Sequence, residues 1–193
     1  MLIGITGQSG SGKSLMSEYL KSKGRSVFDA DLYARRAVEP ETEGIKKITA
    51  EFGAEVLNGD GTLNRKKLAD IVFSDETSLA KLNKTILPEI SKLIARDLEK
   101  ELERTVFLDA PTLFESSMDK ICDVIVSVLA DYHVRLERIK NRDNLDEVSA
   151  KMRLDAQQKD EFYIEKSDYI IYNNGGKEAF FSEVEKFIKN FEK

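Results

Sequence analysis

The segment from Gly7 to Ser14 reads G-Q-S-G-S-G-K-S and fits the phosphate-loop pattern G-x-x-x-x-G-K-S/T at every required position. Its glycines permit a tight turn that directs backbone N–H groups toward a phosphate chain at the start of the next helix. Lys13 is expected to reach the β- and γ-phosphates of a nucleotide, and Ser14 to offer its hydroxyl to Mg²⁺. The apolar strand before the loop and the helix after it favour this interpretation over a chance glycine-rich turn. The pattern therefore predicts binding of ATP and Mg²⁺ by Gln8, Ser9, Gly10, Ser11, Gly12, Lys13, Ser14 and Leu15.

Carboxylates follow two of the predicted strands, at the strand ends where ligands of open α/β sheets bind. Asp29 and Asp31 come directly after the strand Ser26–Phe28, and one of them is positioned to accept the proton of an acceptor hydroxyl. The alternative for Asp31 is the N-cap of the following helix. Asp109 closes the strand Thr105–Asp109 and is expected to contact Mg²⁺, usually through water, with a helix cap again as the alternative.

A polar stretch in the second half of the chain carries arginines that suit a transferring phosphoryl group. Arg138, Arg142 and Arg153 are candidates for stabilising its charge, and the first two share a helix face because they are four residues apart. The alternative is a merely solvated helix face. A guanine-reading N-K-x-D tetrapeptide is absent from the sequence, and its nearest candidate is Asn141-Arg142-Asp143. A base together with cations favours a small-molecule kinase over a GTPase.

Short apolar strands alternate with longer helical patterns, which predicts strand-helix-strand units and a mainly parallel sheet. The predicted fold class is α/β, a P-loop kinase fold with a five-stranded sheet covered by helices. Apolar residues recur at helical spacing from Ile45 to Ile94 and predict a helical insertion, with a tight turn at Asn58-Gly59-Asp60-Gly61. The stretch 142–166 has few large apolar residues, so it should supply little core and resembles a closing lid. The predicted strands are Leu2–Thr6, Ser26–Phe28, Thr105–Asp109, Val124–Leu129 and Tyr169–Tyr172, and the later helices are Asp131–Asn141 and Lys177–Phe191.

The length of 193 residues, 41% of them hydrophobic, suffices for one substantial core but not for a second independent domain. We therefore expect a single P-loop kinase domain that carries insertions. Its core is predicted at about 1–30, 105–135 and 167–193, its helical substrate-binding insertion at about 31–104, and its lid at about 136–166.

The composition of the chain argues against nucleic acid and membranes as partners. The net charge of −5 argues against a general nucleic-acid binder, since that role favours a basic face. No apolar run approaches the roughly 20 residues that span a bilayer, so no membrane partner is expected. The N-terminus, Met1–Ile5, lacks the positive region of a signal peptide, and the cytoplasm is the expected location. With one cysteine, Cys122, and one histidine, His133, no internal disulfide and no thiolate or imidazole metal cluster is expected.

Several stretches, in order and over nearly the whole length, resemble the dephospho-CoA kinase family. The opening Gly4–Ser14 is similar to the family's G-L-T-G-G-I-G-S-G-K-S. More specific is Asp29–Arg35 followed by Val38-Glu39-Pro40, which resembles D-A-D-x-x-A-R…V-x-E-P. Further resemblances to the family's motifs, lid and final strand lie at Asp60–Arg65, Leu68, Val72-Phe73, Pro111–Glu115, Arg138…Arg142-Asp143, Arg153…Gln157 and Asp168–Gly175.

The resemblance implies a P-loop core, an insertion that binds the substrate and a lid. It implies that ATP phosphorylates the ribose 3′-hydroxyl of dephospho-CoA, with Asp31 as the base and Arg142 and Arg153 as lid cations. Arg138 would serve the nucleotide, and Asn173 and Gly175 would lie near the adenine of ATP. Contacts to the small-molecule acceptor are implied for Asp31, Arg35, Asn64 and Arg65.

Three positions depart from the family pattern. Tyr163 occupies what is usually a lysine of the lid, and Leu15 replaces a threonine after the phosphate loop. Leu87 stands before Pro88 where the family usually has histidine, so it bears on the acceptor rather than on the phosphate chemistry. The imidazole is then either dispensable or replaced by a neighbour, and Lys84, one helical turn earlier, is the predicted cation on that face.

Two other functions stay open on the sequence alone. One is another small-molecule P-loop kinase, acting on a nucleoside or nucleotide. The other is a non-catalytic regulator that uses ATP only as a ligand, against which a base and cationic lid residues argue. No pattern in the sequence addresses the oligomeric state.

Overall fold

The computed structural model describes residues 1–73, 76–102 and 105–191. The chain divides into two compact units. Unit 1 comprises residues 1–28, 103–113 and 122–193, and unit 2 comprises residues 29–102 and 114–121. The predicted lid belongs to unit 1, and residues 114–121, which follow the third strand, belong to unit 2.

A five-stranded sheet in the order β2-β3-β1-β4-β5 organises the described part of unit 1. Neighbouring strands β3, β1, β4 and β5 pair in parallel. The apolar strands predicted from the sequence are confirmed, with ends that shift by at most one residue. Parallel strands are covered on both faces, which is why these segments are apolar throughout rather than alternating. The strands are β1 (Leu2–Gly7), β2 (Val27–Asp29), β3 (Val106–Asp109), β4 (Val124–Leu129) and β5 (Tyr169–Tyr172).

The helices lie where the sequence shows helical spacing of apolar residues. In α9, Phe180, Val184 and Phe187 are buried at intervals of four and three residues, as the amphipathic pattern predicts. The predicted helix Asp131–Asn141 is shifted slightly and ends two residues later. The helices are α1 (Lys13–Ser22), α2 (Ala30–Arg36), α3 (Glu43–Phe52), α4 (Arg65–Phe73), α5 (Glu76–Leu98), α6 (Tyr132–Asp143), α7 (Glu147–Asp155), α8 (Asp160–Lys166) and α9 (Lys177–Lys189).

The main core of unit 1 joins the sheet to α1 and α9. Ile3 and Ile5 of β1 pack with Met16 and Leu20 of α1, and Phe180 of α9 completes the cluster. All five side chains are almost fully removed from water, so burial of apolar surface holds β1 and α1 in place. The phosphate loop between these two elements is therefore fixed at both ends.

The prediction that residues 142–166 supply little core is wrong in one respect. Ala150 and Leu154 of α7 pack against Leu136 and Ile139 of α6, and all four are buried. Tyr163 of α8, the residue that departs from the family's lysine, is only 5% exposed. Two short helices that share one apolar stripe need few large side chains to form a cluster, which the composition of the stretch conceals.

Unit 2 has its own core. Val38, Ile45, Ile48 and Val56 are buried together with Leu68, at the centre of α3, α4 and the preceding loop. The predicted turn at 58–61 is present, because Asn58 N–H bonds to Thr62 O at 2.8 Å and Gly61 N–H bonds to Asn58 O at 3.0 Å.

No helix in the described part of the chain is long and apolar enough to cross a membrane.

Candidate active site

The carboxyl ends of the parallel strands bring chemically important residues to one edge of the sheet. The phosphate loop follows β1, Asp109 ends β3, and Asn173 follows β5. The strands are in register, with Ile5 beside Asp109, and Asn173 N–H bonds to Leu129 O at 2.8 Å. This edge is where ligands bind in open α/β sheets, as the sequence analysis assumed.

The phosphate loop leaves the start of α1 open. Gly12 precedes α1 with φ of 108°, a left-handed conformation that L side chains rarely adopt, and no side chain caps the helix. A Cβ atom on Gly12 would lie 2.0 Å from Asn173 Nδ2, so only glycine fits. The uncapped N–H groups of the first turn form an anion site in combination with the helix dipole.

Lys13 is held by an acidic partner at the sheet edge. Its Nζ lies 2.5 Å from Asp109 Oδ1, and the two side chains are 12% and 21% exposed. Asp109 therefore binds the loop lysine, and a turn rather than a helix follows it, so the helix-cap alternative for Asp109 is wrong. Ser14, in the first turn of α1, is exposed, as a hydroxyl that serves a metal ion must be.

Two residues brace the loop through its carbonyl groups. Arg138 of α6 donates to Gly10 O at 3.1 Å, to Ser11 O at 3.2 Å and to Asn173 O at 2.9 Å. Asn173 Nδ2 donates to Ser11 O at 2.7 Å and is itself buried. Burial lowers the pKa of Arg138. With its carbonyls occupied from behind, the loop presents its N–H groups to a ligand.

The segment after α7 also contacts the loop, which the sequence analysis did not predict. Gln157 Oε1 accepts a hydrogen bond from Ser9 N–H at 2.9 Å, and Gln8 Nε2 donates to Gln158 O at 2.9 Å. Gln157 was noted only as part of a family-like spacing with Arg153. These two bonds fix the C-terminal end of the Arg153-bearing segment to the phosphate loop.

Two arginines of the predicted lid share one carboxylate. Arg142 Nε and Nη2 donate to the two oxygens of Asp143 at 2.7 and 2.8 Å, and Arg153 Nη1 donates to Asp143 Oδ2 at 2.6 Å. The hydrogen bond from Arg142 lowers the pKa of Asp143, and the same bond raises the pKa of Arg142. Both guanidinium groups remain about half exposed. The structure thus brings Arg142 and Arg153 together, whereas Arg138 on the same helix is engaged with the loop.

Asp29, and not Asp31, caps α2. The Asp29 side chain accepts hydrogen bonds from Asp31 N–H at 2.9 Å and from Leu32 N–H at 3.2 Å. The capping alternative for Asp31 is therefore wrong, because the cap lies two residues earlier. Asp31 is exposed in the first turn of α2, where the helix dipole stabilises its negative charge.

The predicted acceptor-binding residues all lie in unit 2, on α2, at the start of α4 and on α5. Arg35 is exposed on α2, and Arg65 is exposed at the start of α4. Asn64 caps α4, because its Oδ1 accepts from Lys67 N–H at 3.0 Å, so local helix formation explains this residue. Lys84 is exposed on α5 and lines a cavity together with Leu87. Gly175 is exposed in the loop after β5.

The residues present fit ATP and Mg²⁺. Ser11 Oγ and Gln8 Oε1 are buried in the loop without a hydrogen-bond partner in the described part of the chain. Buried polar atoms are seldom left unsatisfied, so these atoms suit a loop that closes around a ligand. No group of three or more acidic, histidine or cysteine ligands occurs within the ranges that the structure describes. Mg²⁺ is usually held by one or two protein oxygens together with substrate phosphates, and the Ser14 hydroxyl and the Asp109 carboxylate are oxygens of that kind.

A parallel sheet, a phosphate loop at its carboxyl edge and a lysine–aspartate pair beside it define a P-loop kinase. The dephospho-CoA kinase family model matches residues 1–179. The dephospho-CoA kinase of Fusobacterium nucleatum is 40% identical over 98% of this chain and 97% of its own length. The chain belongs to the dephospho-CoA kinase family.

Solved structures agree with this assignment. A protein from Thermus thermophilus is 31% identical and superposes with a TM-score of 0.77, over 98% of this chain and 97% of that one. Dephospho-CoA kinase from Campylobacter jejuni is 28% identical with a TM-score of 0.66, over 98% and 96% of the two chains. The predicted fold class and family resemblance are thereby confirmed.

Proposed function

We propose that this protein transfers the γ-phosphoryl group of ATP to the ribose 3′-hydroxyl of dephospho-CoA and so forms coenzyme A and ADP. The observation that supports this best is family membership over residues 1–179 combined with a complete phosphate loop at the sheet edge. In the reaction, the 3′-oxygen bonds to the γ-phosphorus while the bond from that phosphorus to the β–γ bridging oxygen breaks. The hydroxyl proton passes to a carboxylate of the protein. We expect this chemistry in the cytoplasm, where ATP is the donor.

Lys13 and the first turn of α1 would hold the phosphates. When ATP binds, the Lys13 ammonium can exchange its Asp109 partner for β- and γ-phosphate oxygens, since it lies at the loop itself. Ser14 and Asp109 would hold Mg²⁺, which neutralises charge that develops on the transferring group. Asp109, released from Lys13, is then available to the ion.

Asp31 is the proposed general base. It is exposed, carries no cap role, and lies two residues after the capping residue Asp29, which fixes the first turn of α2. An exposed carboxylate on that turn is accessible to a hydroxyl, and a general base must reach the proton that it accepts. Arg35, Asn64 and Arg65 of the same unit remain proposed contacts of the acceptor.

Arg142 and Arg153 are proposed to stabilise the phosphoryl group during transfer. Their shared carboxylate, Asp143, keeps both guanidinium groups in one place before the nucleotide arrives. Preorganised cations act on charge in the transition state without reorganisation at the moment of reaction. Arg138, Asn173 and Gly175 are proposed to serve the ATP site, the first two through the loop that they brace.

The proposal is tested by incubating the protein with Mg²⁺-ATP and dephospho-CoA and detecting coenzyme A by mass spectrometry. ³¹P NMR of the product distinguishes a 3′- from a 2′-phosphate. A panel of nucleosides and nucleoside monophosphates, run beside dephospho-CoA, tests the other small-molecule kinases. Among these acceptors, we expect only dephospho-CoA to be phosphorylated. Phosphorylation of another acceptor, or ATP binding without any transfer, would overturn the proposal.

A further inference from the structure

Unit 2 contains a cavity of about 530 Å³ along one side of α5. Its α5 wall includes Leu79, Leu87 and Pro88, and its other wall is formed by Ser117 and Lys120. The volume lies within the range of about 300–1,000 Å³ that small-molecule sites occupy, and such sites are mostly apolar with a few polar groups. The cavity has the composition of a ligand site.

A hydrogen bond joins α5 to the segment that forms the other wall of the cavity. Asn83, on the same face of α5 as Leu79 and Leu87, donates from Nδ2 to Glu115 O at 2.5 Å. Met118, only 4% exposed, anchors the same segment in unit 2. The segment 114–121 is therefore fixed beside the helix, with the space between them left unfilled.

The charged residues at this cavity differ from their neighbours. Lys81 and Lys92 of α5 pair with Glu51 and Glu89, at 3.8 and 2.9 Å. Lys84 and Lys120, which line the cavity, form no ion pair within the described residues, and both are exposed. Two ammonium groups at one apolar cavity suit an anionic ligand, because each is available without breaking a bond inside the protein.

Pro88 leaves a backbone carbonyl without its usual donor at Lys84, which is one of the residues that line the cavity. Proline has no N–H group, so the carbonyl of Lys84, four residues earlier, cannot receive its usual helical hydrogen bond. A carbonyl without its helical donor can accept from a ligand amide. The residues that line the cavity thus offer apolar surface, a backbone carbonyl without its usual helical donor, and two cations, one on each wall.

We propose that this cavity binds the pantetheine arm of the acceptor, with Lys84 and Lys120 contacting the phosphates to which the arm is attached. The proposal rests on the proposed function. The arm is a carbon chain interrupted by two amides and attached to a diphosphate, and each of these parts has a counterpart in the cavity. Lys120 and the cavity wall thereby become determinants of acceptor specificity. Leu87, where the family usually has histidine, offers apolar surface to the carbon chain of the arm.

The test uses 4′-phosphopantetheine, which carries the arm and one phosphate but no adenine, titrated into the protein by calorimetry. Lys84→Ala and Lys120→Ala should each weaken its binding roughly three- to tenfold, the effect of losing one partly exposed charge pair. Lys81→Ala is the matched control on the same helix and should leave binding unchanged. Equal affinity in all four proteins would overturn the proposal.

A second pair of variants fills the cavity without touching a buried side chain. Ala80 lines the cavity and is exposed, and Ala95 is exposed on the same helix outside it. Ala80→Trp should weaken 4′-phosphopantetheine binding and raise the KM for dephospho-CoA more than about tenfold, because the indole occupies the space of the arm. Ala95→Trp should change neither, and both variants should keep the wild-type KM for ATP. Wild-type binding by Ala80→Trp would place the arm elsewhere.

Leu87→His restores the imidazole of the family and should leave the KM for dephospho-CoA unchanged or lower it. A raised KM would contradict a role of this wall in binding the acceptor. Failure of the wild type to phosphorylate dephospho-CoA, with 4′-phosphopantetheine bound as described, would overturn the proposed function and leave the cavity assignment standing. If the wild type phosphorylates dephospho-CoA but does not bind 4′-phosphopantetheine, the cavity assignment is overturned and the proposed function stands.

Discussion

The cationic side chains of unit 1 near the predicted ATP site and those at the cavity of unit 2 differ in whether they have partners within the protein. In unit 1, the side chains of Lys13, Arg138, Arg142 and Arg153 all have partners within the protein. At the cavity, Lys84 and Lys120 have none within the described residues. The first arrangement holds cations in place before the reaction, and the second leaves them available for a ligand.

The difference fits the roles that we propose for the two regions. Cations that stabilise a transition state are most effective when they are held in position in advance, which partners such as Asp109 and Asp143 provide. Cations that only bind an acceptor gain most when no internal pair has to be broken. Substitutions at the loop should therefore lower turnover, whereas those at the cavity should raise the KM for the acceptor.

The largest effect is expected from Lys13→Ala. Turnover should fall to the background level, because the ammonium group that we propose to contact the β- and γ-phosphates is lost. Lys21→Ala, exposed on the same helix, is the control and should keep wild-type activity. Activity near wild type with unchanged ATP affinity would refute the assignment of the loop. The fold should survive, since Lys13 contributes little to the core.

Asp31→Asn should lower turnover by roughly 10²–10⁴-fold, which is the usual contribution of a positioned general base, and should change ATP binding little. The matched variant in the same motif is Asp29→Ala, which removes the N-cap. Asp29→Ala should instead lower the free energy of unfolding by about 1 kcal/mol, the typical loss of an N-cap, and affect turnover less. Steady-state kinetics and denaturant unfolding of both variants measure the contrast. A loss of less than about tenfold in Asp31→Asn would assign the proton to another group.

Arg142→Ala and Arg153→Ala should lower turnover by about 10- to 100-fold, and more than they raise the KM for ATP. The reason is that both cations are proposed to act on charge that is present mainly in the transition state. Glu147→Gln breaks an exposed pair with Lys151 in the same segment and serves as the control, with kinetics near wild type. Weaker ATP binding at unchanged turnover would make the two arginines ordinary ground-state contacts.

The smallest effect on activity is expected from Asp97→Ala, which alters the stability of unit 2. Asp97 accepts hydrogen bonds from Tyr33, Arg36 and Lys100, the last at 2.8 Å. Losing these bonds should cost about 1–2 kcal/mol and lower the Tm by a few degrees, with ATP binding unchanged. A Tm equal to that of the wild type would show that the cluster contributes nothing to stability.

The pH dependence of that cluster has a definite sign. Hydrogen bonds from Lys100, Arg36 and Tyr33 lower the pKa of Asp97, while burial and Asp97 raise the pKa of Tyr33 to about 12. A carboxyl whose pKa is lower in the folded state stabilises the protein fully above its unfolded pKa of about 3.9. The contribution is lost as pH falls below that value. The Tm difference between wild type and Asp97→Ala should therefore shrink in acid.

The local elements could be predicted from the sequence because their signals are local. The strand Val124–Leu129 has the predicted bounds, and Phe180, Val184 and Phe187 form the predicted buried face of α9. The phosphate loop needed only one strand, eight residues and the start of a helix. For such features, period, turn chemistry and chain order carry the necessary information.

Other features could be assigned only from the structure. The sequence offered either a base or an N-cap for Asp31, and only the point at which α2 begins shows that Asp29 is the cap. Gln157 gave no signal of its own, because its partner, Ser9, is 148 residues away. The small cluster of α6 and α7 was missed because its few apolar residues matter only once the helices face each other.

The sequence by itself therefore determined the phosphate loop, the apolar strands and the helix faces, since these follow from residue type and spacing along a few turns of chain. Tertiary structure alone decided that Lys13 meets Asp109, that Arg138 braces Gly10 and Ser11, and that Asn83 holds the segment beside α5. These contacts join residues between 32 and 128 positions apart. Their geometry depends on the path of the backbone between them, which strand register and core packing fix and which no short pattern encodes.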